Sequence, residues 1–122
     1  MTGQRVALII PVLNEAATIG AVVTEARAHF DGDIVVVDNG STDATAAVAQ
    51  QAGARVVLEP VPGYGRACMA GVAAAPDATT LVFMDGDGSD MPQDIPALLA
   101  AIEAGADLAL GSAAAPPSNP AR

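Results

Sequence analysis

Lysine and tryptophan are absent from this 122-residue sequence, which also has only one cysteine, one histidine and one tyrosine. The five basic residues, all arginine, face 14 acidic ones, for a formal charge of −9. That balance removes the positive footprint that nucleic acid or an anionic membrane requires, so nucleic acid is not expected as a partner. The lone Cys68 excludes an intrachain disulfide framework and an all-cysteine metal site, and it suits a reducing compartment. No apolar run approaches the roughly 18 residues of a membrane helix. Met1 to Arg5 lead straight into a strand pattern without a signal-peptide profile, so the chain is expected to be soluble, unprocessed and cytoplasmic. Aromatics are 2% of residues while hydrophobic residues are 52%, chiefly alanine and valine. Each such side chain buries little area, so the core must come from close approach of the elements.

What is present is a regular alternation. Residues 5–12 form a continuous apolar run that suits a strand buried on both faces and ending at Pro11. Residues 16–30 carry apolar side chains at helical spacing, with Thr18 as a candidate cap. Strands are then expected over 34–37, 54–59, 80–84 and 107–110, and helices over 42–52, 65–75 and 92–103. Gly53 is expected to end the second helix. The sum is an α/β fold, a three-layer α/β/α arrangement around a mostly parallel, Rossmann-like sheet, occupying residues 1–111. The Pro/Ala/Ser stretch 112–122 has no periodicity and is expected to be a disordered tail. Such sheets bind ligands at the carboxyl ends of their strands, which directs attention to loops 11–15, 38–43 and 85–90.

Asp85, Asp87, Asp90 and Asp94 crowd the last of these loops, and no basic residue or histidine lies between Arg66 and Arg122. Two like charges about 4 Å apart repel by about 4 kcal/mol at an effective dielectric of 20, so something must offset them. Asp85-Gly86-Asp87 at a strand end offers hard oxygen ligands for Mg²⁺ or Mn²⁺ holding a diphosphate, with glycine permitting close approach. An EF-hand is excluded, because its sixth and twelfth positions counted from Asp85 are Asp90 and Pro96. The stretch 83–89 also imitates the nucleophile motif of haloacid-dehalogenase-type phosphatases, with Asp85 as nucleophile. That family needs a later basic residue, and only Arg122 follows. Residues 62–68 imitate a dinucleotide fingerprint, but Cys68 stands where its third glycine belongs.

Four ordered motifs together carry more information. Pro11-Val12-Leu13-Asn14-Glu15, Val36 to Asp43 (VVDNGSTD), Gly63-Tyr64-Gly65-Arg66-Ala67 and Asp85-Gly86-Asp87 resemble, in order and spacing, the nucleotide-sugar half of family 2 glycosyltransferases, whose fold is termed GT-A. The dolichyl-phosphate mannose synthase-like branch is the nearest likeness, over about residues 5–112. The resemblance implies that Pro11, Leu13, Asn14, Glu15 and Asp38 surround the nucleoside of a UDP-, GDP- or dTDP-sugar, and that Gly40 lets the backbone turn tightly. It implies Arg66 on the diphosphate, Asp85 on metal and nucleotide, and Asp87 on the metal, Mg²⁺ or Mn²⁺. Asp43 reads as turn and cap, His29 as a helix-end residue, Cys68 as packing, and Tyr64 as either a stacking group or a loop anchor.

The resemblance further implies transfer of the sugar to an acceptor, a lipid phosphate such as a polyprenyl phosphate or a small alcohol, with the protein peripheral at the inner membrane in the lipid case. Relatives carry roughly as many residues again beyond Gly111-Ser112, including the acceptor-side base. Here Ala113 stands where they have a basic residue. The expectation is a donor-binding half, either catalytically incomplete or completed by a partner or a second copy.

Overall fold

The structure is a computed structural model that describes residues 5–87 and 109–110. Five parallel strands form one sheet in the order β3-β2-β1-β4-β5. These are β1 (Val6–Val12), β2 (Asp33–Asp38), β3 (Arg55–Leu58), β4 (Thr80–Phe83) and β5 (Ala109–Leu110), and the helices are α1 (Ala16–His29), α2 (Thr45–Gln51) and α3 (Tyr64–Ala74). The expected helix 92–103, the tail 112–122, Asp90, Asp94 and the boundary after residue 111 lie outside the described residues.

Strand alternation sends the apolar runs to opposite faces. Leu8, Ile10, Val12, Ile34 and Val36 pack with Ile19, Val22, Val23, Ala26 and Phe30 of α1 and its end, and with Ala49 of α2. Ala7, Ile9, Val35 and Val37 pack against Ala67 and Ala75 on the α3 side. The three-layer arrangement follows: α1 and α2 on one face, α3 on the other. On the α3 side the helix approaches closely because Gly71 has no side chain. A Cβ there would collide with Ile9 Cγ2 and lie 3.2 Å from Val37 Cγ2. A core poor in aromatics is thus closed by bringing backbones together.

Three local expectations are corrected. The first strand does not end at Pro11 but runs through Val12, with Pro11 opposite Val37. Ile9 accepts from Met84 N–H on the β4 side and Val12 accepts from Asn39 N–H on the β2 side. Alternation therefore aims the Pro11 nitrogen toward β4, just past the last β1–β4 pair, Ile9 with Phe83, so its missing N–H ends the ladder on that side while the β1–β2 ladder runs on to Val12. Thr18 does not cap α1, being its third residue. The second helix also begins at Thr45, three residues later than expected, because Thr42 and Asp43 are held in the preceding loop. Gly53, at φ 108°, ends it as the sequence implied.

Among the described residues no helix is long and apolar enough to cross a membrane.

Candidate functional site

The chain runs outward from β1 to β3 and returns to place β4 on the other side of β1, so the strand order reverses between β1 and β4. A cavity of about 460 Å³ opens at the carboxyl end of this junction. Pro11, Val12, Leu13 and Glu15 line it from β1, Asn39 from β2, Gly63, Tyr64 and Ala67 from the start of α3, and Asp85, Gly86 and Asp87 from β4. Of the residues singled out in the sequence, Pro11, Leu13, Glu15, Asp85 and Asp87 thus share one cavity, whereas Asn14, Asp38, Gly40 and Arg66 do not line it.

Asn14 explains the loop after β1. It adopts φ 53°, a left-handed conformation that asparagine tolerates better than most residues. Its N–H donates to Ser41 Oγ at 2.8 Å, and its Oδ1 accepts from Thr42 N–H at 2.8 Å. Asn14 therefore fastens the β1 loop to the β2 loop and turns its side chain away from the cavity. The start of α1 lacks a side-chain cap of its own and is served instead from the start of α2 and the loop before it: Glu15 N–H donates to Thr45 Oγ1 at 2.9 Å, and Ala16 N–H to Asp43 Oδ2 at 3.3 Å. Asp43 Oδ1 in turn accepts from the Thr45 hydroxyl and from Thr45 N–H. The Thr45 hydroxyl, then these backbone donors, hold the Asp43 carboxyl below the usual aspartate range.

Asp38 ends β2, is 6% exposed, and accepts Ser41 N–H on Oδ1 at 2.9 Å, closing a turn in which Gly40 has φ 98°. The neighbour Asn39 reaches the cavity instead. Its Nδ2 donates to the carbonyls of Glu59 and Val61, and its Oδ1 accepts Gly63 N–H at 3.1 Å. Asn39 thereby pins the whole loop that delivers Tyr64. Sequence reasoning passed over it; the available signal was an amide, able to donate and accept at once, placed directly after a strand-end aspartate.

Leu13 and Tyr64, 54% and 64% exposed, border the cavity with apolar surface. Arg66 is exposed in the same helical turn as Tyr64 and Ala67. Two of the other arginines are committed: Arg27 binds the Phe30 and Gly32 carbonyls, and Arg55 pairs with Asp33, which raises its own pKa. His29 pairs with Glu25 at 3.3 Å near the end of α1, as a helix-end residue. Cys68 is part-buried in α3.

The acidic turn owes its position to Gly86. That residue is buried, and a Cβ on it would collide with Val12 Cγ1 and lie 3.2 Å from Ile19 Cδ1 and 3.3 Å from Ile10 Cγ2. Its carbonyl accepts from the Thr18 hydroxyl at 2.9 Å. Asp85 and Asp87, both exposed, flank this anchor. Among the described residues no three His, Cys, Asp or Glu side chains converge on one point. Two carboxylates are what a hard cation needs when ligand phosphates and water complete its shell, and the residues present fit that use.

Comparison with known proteins gives the family and the fold. Residues 7–122 match the family described as Glycosyl transferase family 2. An uncharacterized glycosyltransferase of Mycobacterium tuberculosis is 46% identical over 111 residues, covering 91% of this chain and 50% of the relative. A polyprenol monophosphomannose synthase of Mycolicibacterium smegmatis is 38% identical, covering 89% of this chain and 45% of its own length. The crystal structure of glucosyl-3-phosphoglycerate synthase from Mycobacterium tuberculosis, in complex with Mn²⁺, UDP-glucose and phosphoglyceric acid, superposes with a TM-score of 0.70 at 33% identity. The match covers 82% of this chain and 39% of that one. The chain spans about half the length of the curated relatives just named. The chain belongs to glycosyl transferase family 2, and its sheet and helices are of the GT-A type found in those enzymes.

Proposed function

We propose that this chain binds the donor of a glycosyl transfer, a nucleotide diphosphate sugar, together with Mg²⁺ or Mn²⁺ on Asp85 and Asp87. The observation that carries the reading is the cavity of about 460 Å³ at the β1–β4 junction, where two apolar faces and an acidic turn meet. Its size is that of a small-molecule or cofactor site. Leu13 and Tyr64 would flank the base, and Glu15, whose carboxylate only accepts, would take a hydrogen bond from a base N–H or a ribose hydroxyl. Pro11 contributes wall, while Asn14, Asp38 and Gly40 act one step back by holding the loops that carry Leu13, Glu15 and Asn39. Arg66 would meet the diphosphate from the first turn of α3. Asp85 and Asp87 would hold the divalent cation, which would supply charge neutralisation to a nucleoside diphosphate leaving group.

A UDP-sugar is the first to test, since the solved relative binds UDP-glucose. The acceptor would be a polyprenyl phosphate, by analogy with the mannose synthase relative, or a small alcohol. The test measures Mn²⁺ binding by electron paramagnetic resonance in the presence of UDP. Asp85→Asn or Asp87→Asn should raise the half-saturating Mn²⁺ concentration about tenfold or more, the worth of one charged ligand. Unchanged Mn²⁺ binding in both variants would remove the acidic turn from the proposal.

A further inference from the structure

The Thr18 hydroxyl faces two acceptors that belong to opposite sides of the cavity. It lies 2.9 Å from the Gly86 carbonyl, in the acidic turn, and 3.1 Å from Glu15 Oε1, in the β1 loop; the Glu15 carbonyl, at 3.4 Å, is a weaker third. A hydroxyl carries one hydrogen, so it serves one acceptor well only at the expense of the other. The charged carboxylate draws that hydrogen more strongly than the neutral carbonyl. Yet the Gly86 backbone is buried, and leaving its carbonyl without a donor is costly.

We infer that Thr18 is a positioning residue that couples the two sides of the site. A ligand that donates a hydrogen bond to the Glu15 carboxylate satisfies that acceptor and releases the Thr18 hydrogen to the Gly86 carbonyl. The Asp85-Gly86-Asp87 turn is then fixed at its centre, and both carboxylates are held for a cation. By thermodynamic reciprocity the cation must favour the nucleoside to the same degree. The inference rests on the donor-site reading, with the nucleoside on the Glu15 side and the cation on the aspartates.

Uridine isolates the effect, because it carries no phosphate and so cannot bridge to the metal by itself. Uridine affinity is measured by NMR titration with Mg²⁺ present and absent, in the wild type, Thr18→Ser and Thr18→Val, with thermal unfolding as the check on folding. In the wild type and Thr18→Ser, Mg²⁺ should tighten uridine about fivefold, a modest coupling of the usual size. In Thr18→Val, which keeps the shape and loses the hydrogen, the ratio should fall to about one. A structural role alone would lower the unfolding temperature in Thr18→Val and leave the ratio as it was. Coupling that persists in Thr18→Val, or is absent in the wild type while UDP still binds, overturns the inference alone. Failure of both UDP and uridine to bind the wild type overturns the donor-site reading and this inference with it.

Discussion

Replacing Gly86 by alanine adds one methyl group at the most crowded point between the core and the acidic turn. The new Cβ would collide with Val12 Cγ1 and stand 3.2 Å from Ile19 Cδ1 and 3.3 Å from Ile10 Cγ2. None of these neighbours yields easily: Ile10 and Ile19 are fully buried, Val12 is 4% exposed, and the β-branched side chains have few alternative rotamers. Overpacking of this kind costs about 2 kcal/mol, which in a domain of this size lowers Tm by roughly 10 °C. The backbone can relieve the clash only by lifting the turn, which also stretches the bond from Thr18 to the Gly86 carbonyl and moves Asp85 and Asp87. The expected result is a lower Tm by calorimetry together with weaker Mn²⁺ binding. Gly65→Ala is the control, since nothing lies within 4 Å of its Cβ position and it sits in the first turn of α3. It should leave Tm unchanged or raise it, as alanine in a helix is favoured by about 0.5–1 kcal/mol. A Gly86→Ala protein with wild-type Tm and wild-type Mn²⁺ binding would refute the claim that close packing positions the turn.

Thr45 is fully buried and serves both Glu15 N–H and Asp43, so Thr45→Val should cost about 1–3 kcal/mol in urea unfolding while Thr45→Ser costs much less. Asp43 has its pKa lowered in the folded state, so it contributes stability that is present above the unfolded value of 3.8 and is lost as pH falls through the lower folded value. Asp43→Asn should therefore be less stable than wild type near neutrality, and the gap should narrow on acidification below about pH 4, read from unfolding at a series of pH values. Arg66→Ala should weaken UDP binding several-fold and leave uridine binding unchanged in calorimetric or NMR titrations, because its charge would act on phosphate.

The sheet was legible because its strands lie in short apolar runs rich in Val, Ile and Leu, the pattern of strands covered on both faces. The loops at their carboxyl ends were legible as a group for the same reason: polar residues interrupt apolar runs at Asn14, Asp38 and Asp85. The division of labour inside the loops was not. Whether Asn14 touches a ligand or ties the β1 loop to Thr42 depends on a left-handed backbone and a partner 28 residues away, neither of which leaves a local pattern. Asn39 was overlooked because its three bonds reach Glu59, Val61 and Gly63, about twenty residues along the chain. Pro11 misled because its missing N–H ends only the ladder on the β4 side, while pairing with β2 carries the strand on to Val12, and which neighbour the nitrogen faces leaves no mark in the local sequence. Thr18 looked like a cap because it directly precedes Ile19, the first large apolar residue at helical spacing, but Asp43 and Thr45 had taken that duty from outside the segment.

The central claim is that the cavity between β1 and β4 is a cation-dependent nucleotide-sugar site, and titration calorimetry of the purified chain with UDP-glucose, GDP-mannose and a dTDP-sugar, each with Mn²⁺ and with chelator, tests it most directly. Saturable one-to-one binding of one of the three in Mn²⁺, weakened by chelator and lost in Asp85→Ala, is the predicted result. No binding of any donor with Mn²⁺ present, together with an Asp85→Ala protein indistinguishable from wild type, would contradict it.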